Sequence, residues 1–217
     1  MNDSFFEGMD ATADNFEDLS RKMRSINRTM QEYPSYNAGH EMYSLVRSAE
    51  INTLQLRSLA SRSMGRPREE LGRVLAHAHG IEISEEKSWL KISMPGILPG
   101  RNSRDNTRFA VRPLAAAVQQ FQDSAAFPRF AQCTISIVHC YDVALGTKRI
   151  RDYDNIETKR FLDVLESEFL TNDSGVYCSV YQTTRIELRD HTEFYLMRPE
   201  SLPEWLKDEA KKHTETC

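Results

Sequence analysis

The 217-residue sequence lacks the features that mark membrane, secreted and zinc-binding proteins. It has no apolar run near the roughly 18 residues that a membrane-spanning helix needs. Its amino terminus is acidic where a secretory signal is basic, which predicts a cytoplasmic protein that does not contact a membrane. The four cysteines include no Cys-x-x-Cys pair, so we expect reduced thiols and no zinc site.

The sequence also lacks the overall positive charge of many nucleic-acid-binding proteins, since its net charge is −4. The charge is unevenly distributed, however. Residues 101–160 contain ten Lys and Arg residues and six Asp and Glu residues, which gives this segment a charge of +4. A locally basic face of this kind can bind phosphate groups within an acidic protein.

Apolar residues in the first third of the chain recur at the spacing of amphipathic helices. One series runs from Phe16 to Tyr33 and a second from Met42 to Ala60, with a loop rich in Pro, Asn and Gly between them. This pattern predicts an antiparallel helical hairpin within residues 1–80. The stripes are typical of a helix packed within its own chain, but they also fit oligomerisation or docking of a protein partner through residues 10–65.

The remaining sequence predicts an α+β domain over residues 81–200, followed by a tail at 201–217 with a short helix. Alternating and β-branched segments indicate strands near residues 89–94, 133–143, 176–188 and 192–197. Helical patterns at 112–122 and 155–169 separate the first three of these strands. The simplest arrangement is a small mixed sheet with helices covering one of its faces.

Two carboxylates lie two residues apart at Asp152 and Asp154, and Asn155 is suited to begin the following helix. Asp173 follows 19 residues after Asp154, beyond one predicted helix and a turn. Each acid alone also fits an ordinary helix cap or turn. Three carboxylates that converge would repel one another unless a cation such as Mg²⁺ bound them, and that ion could support phosphodiester hydrolysis.

Basic residues surround this motif and could hold a nucleic-acid backbone rather than read its bases. The candidate DNA contacts are Arg101, Arg104, Arg108, Lys148, Arg149, Arg151 and Arg160.

The segment Arg151-Asp152-Tyr153-Asp154-Asn155, the helix containing Leu-Asp-Val-Leu and the turn Asn172-Asp173-Ser174-Gly175 together resemble the RusA-type Holliday-junction resolvases. The upstream strand ending in Pro95 resembles the first strand of that family. The resemblance covers residues 88–198 and implies a RusA-like fold. The helical region 1–80 has no counterpart in the small resolvases.

The resemblance implies a homodimeric endonuclease that cuts branched DNA during recombination and repair. It further implies that Asp152, Asp154 and Asp173 bind Mg²⁺, or Mn²⁺, and that Lys159 acts beside them in catalysis. Thr158 stands where the family has its helix lysine, and Asn172 stands where it has a second acid. These departures keep a second hypothesis open, in which a resolvase-like module binds DNA or protein without cutting and residues 1–80 mediate interactions.

Overall fold

The computed structural model describes residues 3–63, 74, 76–101, 104–172 and 174–215. By the packing of its backbone the chain divides into two units, Met1–Leu71 and Gly72–Cys217. The boundary between these units, after Leu71, lies nine residues before the boundary predicted from the sequence, which follows residue 80.

The first unit is a hairpin of two helices, α1 (Asp3–Glu32) and α2 (Gly39–Ser63). A Cβ atom placed on Gly8, near the start of α1, would lie 3.1 Å from Cδ2 of Leu59, near the end of α2, so the helices run antiparallel. Leu19 of α1 and Leu45 of α2 are also buried. The predicted helical hairpin is therefore confirmed.

The second unit is an α+β domain with a five-stranded mixed sheet in the order β1-β2-β5-β3-β4. Only β3 and β4 run parallel, and the other neighbouring strands pair antiparallel. The fold class predicted from the sequence is confirmed. The strands are β1 (Glu82–Glu86), β2 (Trp89–Pro95), β3 (Cys133–Asp142), β4 (Cys178–Glu187) and β5 (His191–Met197). The helices are α3 (Arg104–Ala125), α4 (Lys159–Phe169) and α5 (Leu202–Glu215).

Helices cover both faces of this sheet, so the prediction of helices on one face is wrong. On one face, α3 and α4 bury residues such as Leu114 and Phe161 against the apolar side of the strands. On the other face, Trp205 of α5 packs against Tyr195 and Val138. The segment 201–217, expected to be a tail with a short helix, thus supplies a 14-residue helix that completes the core. Strand β1 was not predicted, because its sequence Glu-Ile-Ser-Glu-Glu carries little apolar signal.

None of the described helices is long and apolar enough to cross a membrane.

Candidate metal-binding and DNA-binding site

The segment that carries Asp152 and Asp154 crosses the end of the sheet where the parallel strands β3 and β4 finish. It contains three short 3₁₀ turns, Val143–Leu145, Thr147–Arg149 and Tyr153–Asn155. The loop after β2 runs beside it, with Gly100 in a bridge to Ile156 and the amide of Glu157 donating to Pro99 O at 2.8 Å. We call residues 96–101 and 142–158 together the carboxyl edge.

Tyr153, between the two aspartates, anchors this segment to the sheet. Its hydroxyl lies 3.1 Å from Oγ1 of Thr184, and its ring stacks on that of His139 at 5.7 Å between centroids and 28° between planes. His139 is completely buried, and this burial lowers the pKa of its imidazole, which favours the neutral ring that Tyr153 covers. The aspartates are therefore held on a braced turn rather than on a free loop.

Asn155 does not begin a helix, and that prediction is wrong. Its carbonyl accepts a hydrogen bond from the Arg101 amide at 3.2 Å, and the next residue, Ile156, pairs with Gly100 in extended conformation. The backbone becomes helical only at Lys159. Four residues thus separate Asp154 from the helix, and its amino terminus does not cap the aspartate pair directly.

The carboxylates of Asp152 and Asp154 are exposed, and within the described part of the chain neither makes an ion pair or a hydrogen bond. The cations next to them in sequence have other partners. Arg149 pairs with Asp190, and Nη1 of Arg151 donates to Leu98 O at 3.0 Å. Neither carboxylate therefore has a cationic partner among the described residues, and a cation from solution could bind them.

Lys159 does not supply the missing positive charge. Its ammonium Nζ lies 3.1 Å from Oδ1 of Asp163, one turn further along α4, and the side chain is 84% exposed. This is an ordinary i,i+4 helix pair on the surface. In this conformation Lys159 is bonded away from the aspartates.

The remaining candidate DNA contacts surround the carboxyl edge. Arg101 lies within it beside Asn155, and Lys148 lies in its second 3₁₀ turn. Arg108 lies in the second turn of α3 and Arg160 in the first turn of α4. The side chains of these four residues are exposed. Arg104 begins α3, and its side chain lies outside the described residues. Both helices therefore direct their positive amino-terminal ends toward this edge, where phosphate groups would be favoured.

Asp173, the third predicted metal ligand, lies outside the described residues. Its neighbours Asn172 and Ser174 lie before the start of β4, where the Asn172 side-chain oxygen accepts from the Ser174 amide at 2.9 Å. Helix α4, of 11 residues and so about 16 Å long, separates this turn from Asp154. Asp152 and Asp154 flank Tyr153 at the start of one 3₁₀ turn, whereas Asn172 and Ser174, the described neighbours of Asp173, lie at the opposite end of the sheet.

A second cluster of potential metal ligands lies buried on the face of the sheet under α5. Ligand atoms of Cys140, His191 and Glu193 lie within 4.8 Å of one another. Lys91 Nζ is 2.9 Å from Glu193, and an Arg185 nitrogen is 2.6 Å from it. Because two cations already neutralise the carboxylate, a metal ion here would be repelled by both, and we interpret this cluster as structural.

Arg185 is the centre of this buried cluster, and its guanidinium crosses the small side chain of Cys140 to reach Glu193 on β5. Its Nη1 also contacts both carboxylate oxygens of Glu209 on α5, at 2.7 and 2.8 Å. Burial alone would raise the pKa of Glu193, but hydrogen bonds from His191 and Lys91 and the charge of Arg185 hold that pKa well below its usual range.

Neither Tyr153 with its buried partner His139 nor the Arg185 cluster was predicted from the sequence. A signal for the cluster is present, because Arg185 and Glu187 alternate on one face of a strand and Glu193 has the same phase on the next. The contact of Arg185 with Glu209 has no local signal, since it depends on where α5 packs.

The fold and the site together define an α+β protein with an uncompensated carboxylate pair at the open end of a mixed sheet. The chain belongs to a family described as a family of unknown function (DUF6100), whose model matches residues 1–216. No curated protein matches it. Among solved structures it is similar to the periplasmic domain of Helicobacter pylori MotB, with 10% identity, a TM-score of 0.35, and coverage of 59% of this chain and 86% of that one.

Proposed function

We propose that this protein is a cytoplasmic, divalent-metal-dependent endonuclease that cuts branched DNA at the carboxyl edge. The observation that carries the proposal is the pair of exposed carboxylates, Asp152 and Asp154, whose neighbouring cations Arg149 and Arg151 are bonded elsewhere. A site built for structure alone would be expected to pair these charges with one another.

Asp152 and Asp154 would hold Mg²⁺ or Mn²⁺, since one or two carboxylates with retained water molecules suit Mg²⁺. When bound, the ion would supply a nucleophilic hydroxide and neutralise charge on the scissile phosphate. The exposed cations around the edge, Arg101, Arg108, Lys148 and Arg160, would hold the DNA backbone. The Tyr153 anchor supports this function because it fixes the turn that carries both ligands.

A homodimer would resolve the separation between Asp154 and the described neighbours of Asp173. Strand β4 lies at the edge of the sheet, and its ten residues include no Pro and no Lys, residues that commonly protect such an edge. Apolar residues are exposed along it and beside it. They are Val176, Tyr177, Val180, Tyr181 and Leu188.

Antiparallel pairing of β4 with β4 of a second copy would form a continuous sheet across a two-fold axis. The start of one β4 would then lie beside the end of the other. Asn172 and Ser174 of one protomer would come to the same end of the sheet as Asp152 and Asp154 of its partner. We therefore propose that two chains complete each metal site.

Cleavage of a labelled four-way junction in Mg²⁺ or Mn²⁺ tests the proposal, with linear duplex as the comparison. We expect Asp154→Asn to reduce cleavage by about 10²-fold or more, because an amide binds the cation poorly and leaves the phosphate charge unneutralised. Asp123→Asn, which removes an exposed carboxylate on α3, is the matched control and should cut normally. No junction cleavage by the unmodified chain in either metal would refute the nuclease.

Mixing two inactive variants tests whether the site is shared between chains. Asp154→Asn and Asp173→Asn should each be inactive alone. In a mixed dimer, one of the two sites would combine an intact Asp152–Asp154 pair with an intact Asp173, so mixing should restore part of the activity. No recovery after subunits exchange would contradict the shared site while leaving the nuclease itself intact.

A module that binds DNA or protein without cutting is the second candidate. The observation that favours it is the pairing of Lys159 with Asp163. This pairing leaves the aspartates without the catalytic amine that the resemblance to the RusA-type resolvases implies. Terbium luminescence excited through Tyr153 separates the two candidates, because Tyr153 lies between the proposed ligands. The nuclease requires an ion-dependent signal that Asp154→Asn abolishes, whereas DNA binding without that signal supports the second candidate.

A further inference from the structure

Helix α1 exposes an apolar stripe that the hairpin does not use. Met9, Phe16, Met23 and Met30 are spaced at intervals of seven and are 40, 36, 58 and 47% exposed. The stripe is about 32 Å long at 1.5 Å per residue. By contrast, Leu19, which belongs to the series facing α2, is only 7% exposed. The stripe is therefore additional to the residues that hold the two helices together.

Helix α2 adds to the same surface. Met42, Val46 and Leu56 are exposed, while Leu45 and Leu59 are buried in the hairpin. Around each helix axis, at 100° per residue, the exposed series is rotated from the buried series in the same direction. Because the helices are antiparallel, both exposed series lie on one side of the hairpin. We call this surface the hairpin face.

The charges of α1 indicate what covers the hairpin face. Residues 3–18 include six acidic and no basic residues, whereas residues 19–31 include four basic and no acidic residues. Two α1 helices that cross a two-fold axis antiparallel would place the acidic half of each against the basic half of the other. With the axis between residues 19 and 20, Met9 lies opposite Met30, Phe16 opposite Met23, and Glu17 beside Arg24 of the second copy.

We propose that the hairpin face docks on the same face of a second copy of this chain, forming an intermolecular four-helix bundle with the two α1 helices antiparallel. Each apolar stripe is covered by its own symmetry mate, and the polarised charges favour this register over a parallel one. The inference goes beyond the proposed nuclease. It concerns the first unit alone and stands whether or not β4 pairs.

Disulfide trapping of the full-length chain tests the bundle. Ser20→Cys in a Cys217→Ser background places a thiol next to the proposed axis, whereas Ser25→Cys places one on the opposite side of α1 and serves as the matched control. Mild oxidation should convert most of the Ser20→Cys chain to a covalent dimer and little of the control. Equal cross-linking of the two variants, or none by Ser20→Cys, would overturn the proposal.

Charge reversal in the Ser20→Cys background tests the register. Glu17→Arg alone and Arg24→Glu alone should each lower the cross-linked yield several-fold, since each would face a like charge across the axis. The double variant restores opposite charges and should recover the yield. Helical content by circular dichroism confirms that the single variants fold. Failure of the double variant to recover would refute the antiparallel pairing, whatever the outcome of the cleavage assay.

Discussion

The buried cluster under α5 and the carboxyl edge differ in how their charged side chains are paired. Under α5, Arg185 is bonded to Glu193 and Glu209, and these buried carboxylates are paired with a cation. At the carboxyl edge, Asp152 and Asp154 have no cationic partner among the described residues, and the nearby arginines are bonded to other groups. Both regions lie near the same end of β4.

The comparison shows how the same residue types serve different purposes. A buried carboxylate must be neutralised, because its desolvation costs several kcal/mol unless a cation and hydrogen bonds compensate. An exposed carboxylate pair is tolerated in water and remains free to bind a cation. We therefore expect substitutions under α5 to change stability, and substitutions at the carboxyl edge to change metal binding and cleavage.

Arg185→Ala should have the largest effect on stability. It leaves Glu193 and Glu209 buried without their shared cation, so we expect the free energy of unfolding to fall by about 3–5 kcal/mol. Urea denaturation measures the loss. Arg189→Ala removes an exposed arginine close by and should change stability by less than about 0.5 kcal/mol. If Arg185→Ala unfolded at the same urea concentration as the unmodified chain, the cluster would not support the fold.

The fold was largely predictable because its elements have strong local signals. The heptad stripes of α1 and α2 and the β-branched strand β3 are recognisable in a window of a few turns or residues. Strand β1 was not predictable from the sequence, since it pairs with β2 at the edge of the sheet and carries mostly polar residues. The second helical layer was missed because, among the described side chains of α5, Trp205 is the one large apolar group that is fully buried.

The site was predictable only where neighbours in sequence are also neighbours in space. Asp152 and Asp154 lie on one short 3₁₀ turn, and the surrounding basic residues lie around the same edge. The position of the turn flanking Asp173 depends on the direction of a parallel crossover, which residue spacing does not determine. The Tyr153–His139 stack likewise joins residues that only the tertiary fold brings together.

The pH dependence of stability tests the buried cluster further, and we expect its effect to be smaller than that of Arg185→Ala. The depressed pKa of Glu193 contributes stability that is present above its unfolded value near 4.5 and is lost as the pH falls below it. Glu193→Gln should lower the free energy of unfolding at pH 7 by about 1.5–3 kcal/mol and show a flatter decline in acid. Urea denaturation between pH 7 and 3 measures both slopes, and equal slopes would assign the acid sensitivity to other groups.

The smallest stability effect is expected at the carboxyl edge, and its sign is opposite. Without metal, Asp154→Asn should raise Tm by about 1–2 °C, because it removes one negative charge from a chain of net charge −4 and breaks no described ion pair. Mg²⁺ at ten times its dissociation constant should stabilise the unmodified chain by about 1.4 kcal/mol and leave the variant unchanged. Calorimetry with and without Mg²⁺, with Asp123→Asn as control, measures both. A lower Tm for metal-free Asp154→Asn would mean that this carboxylate stabilises the fold, and the contrast between the buried cluster and the carboxyl edge would no longer hold.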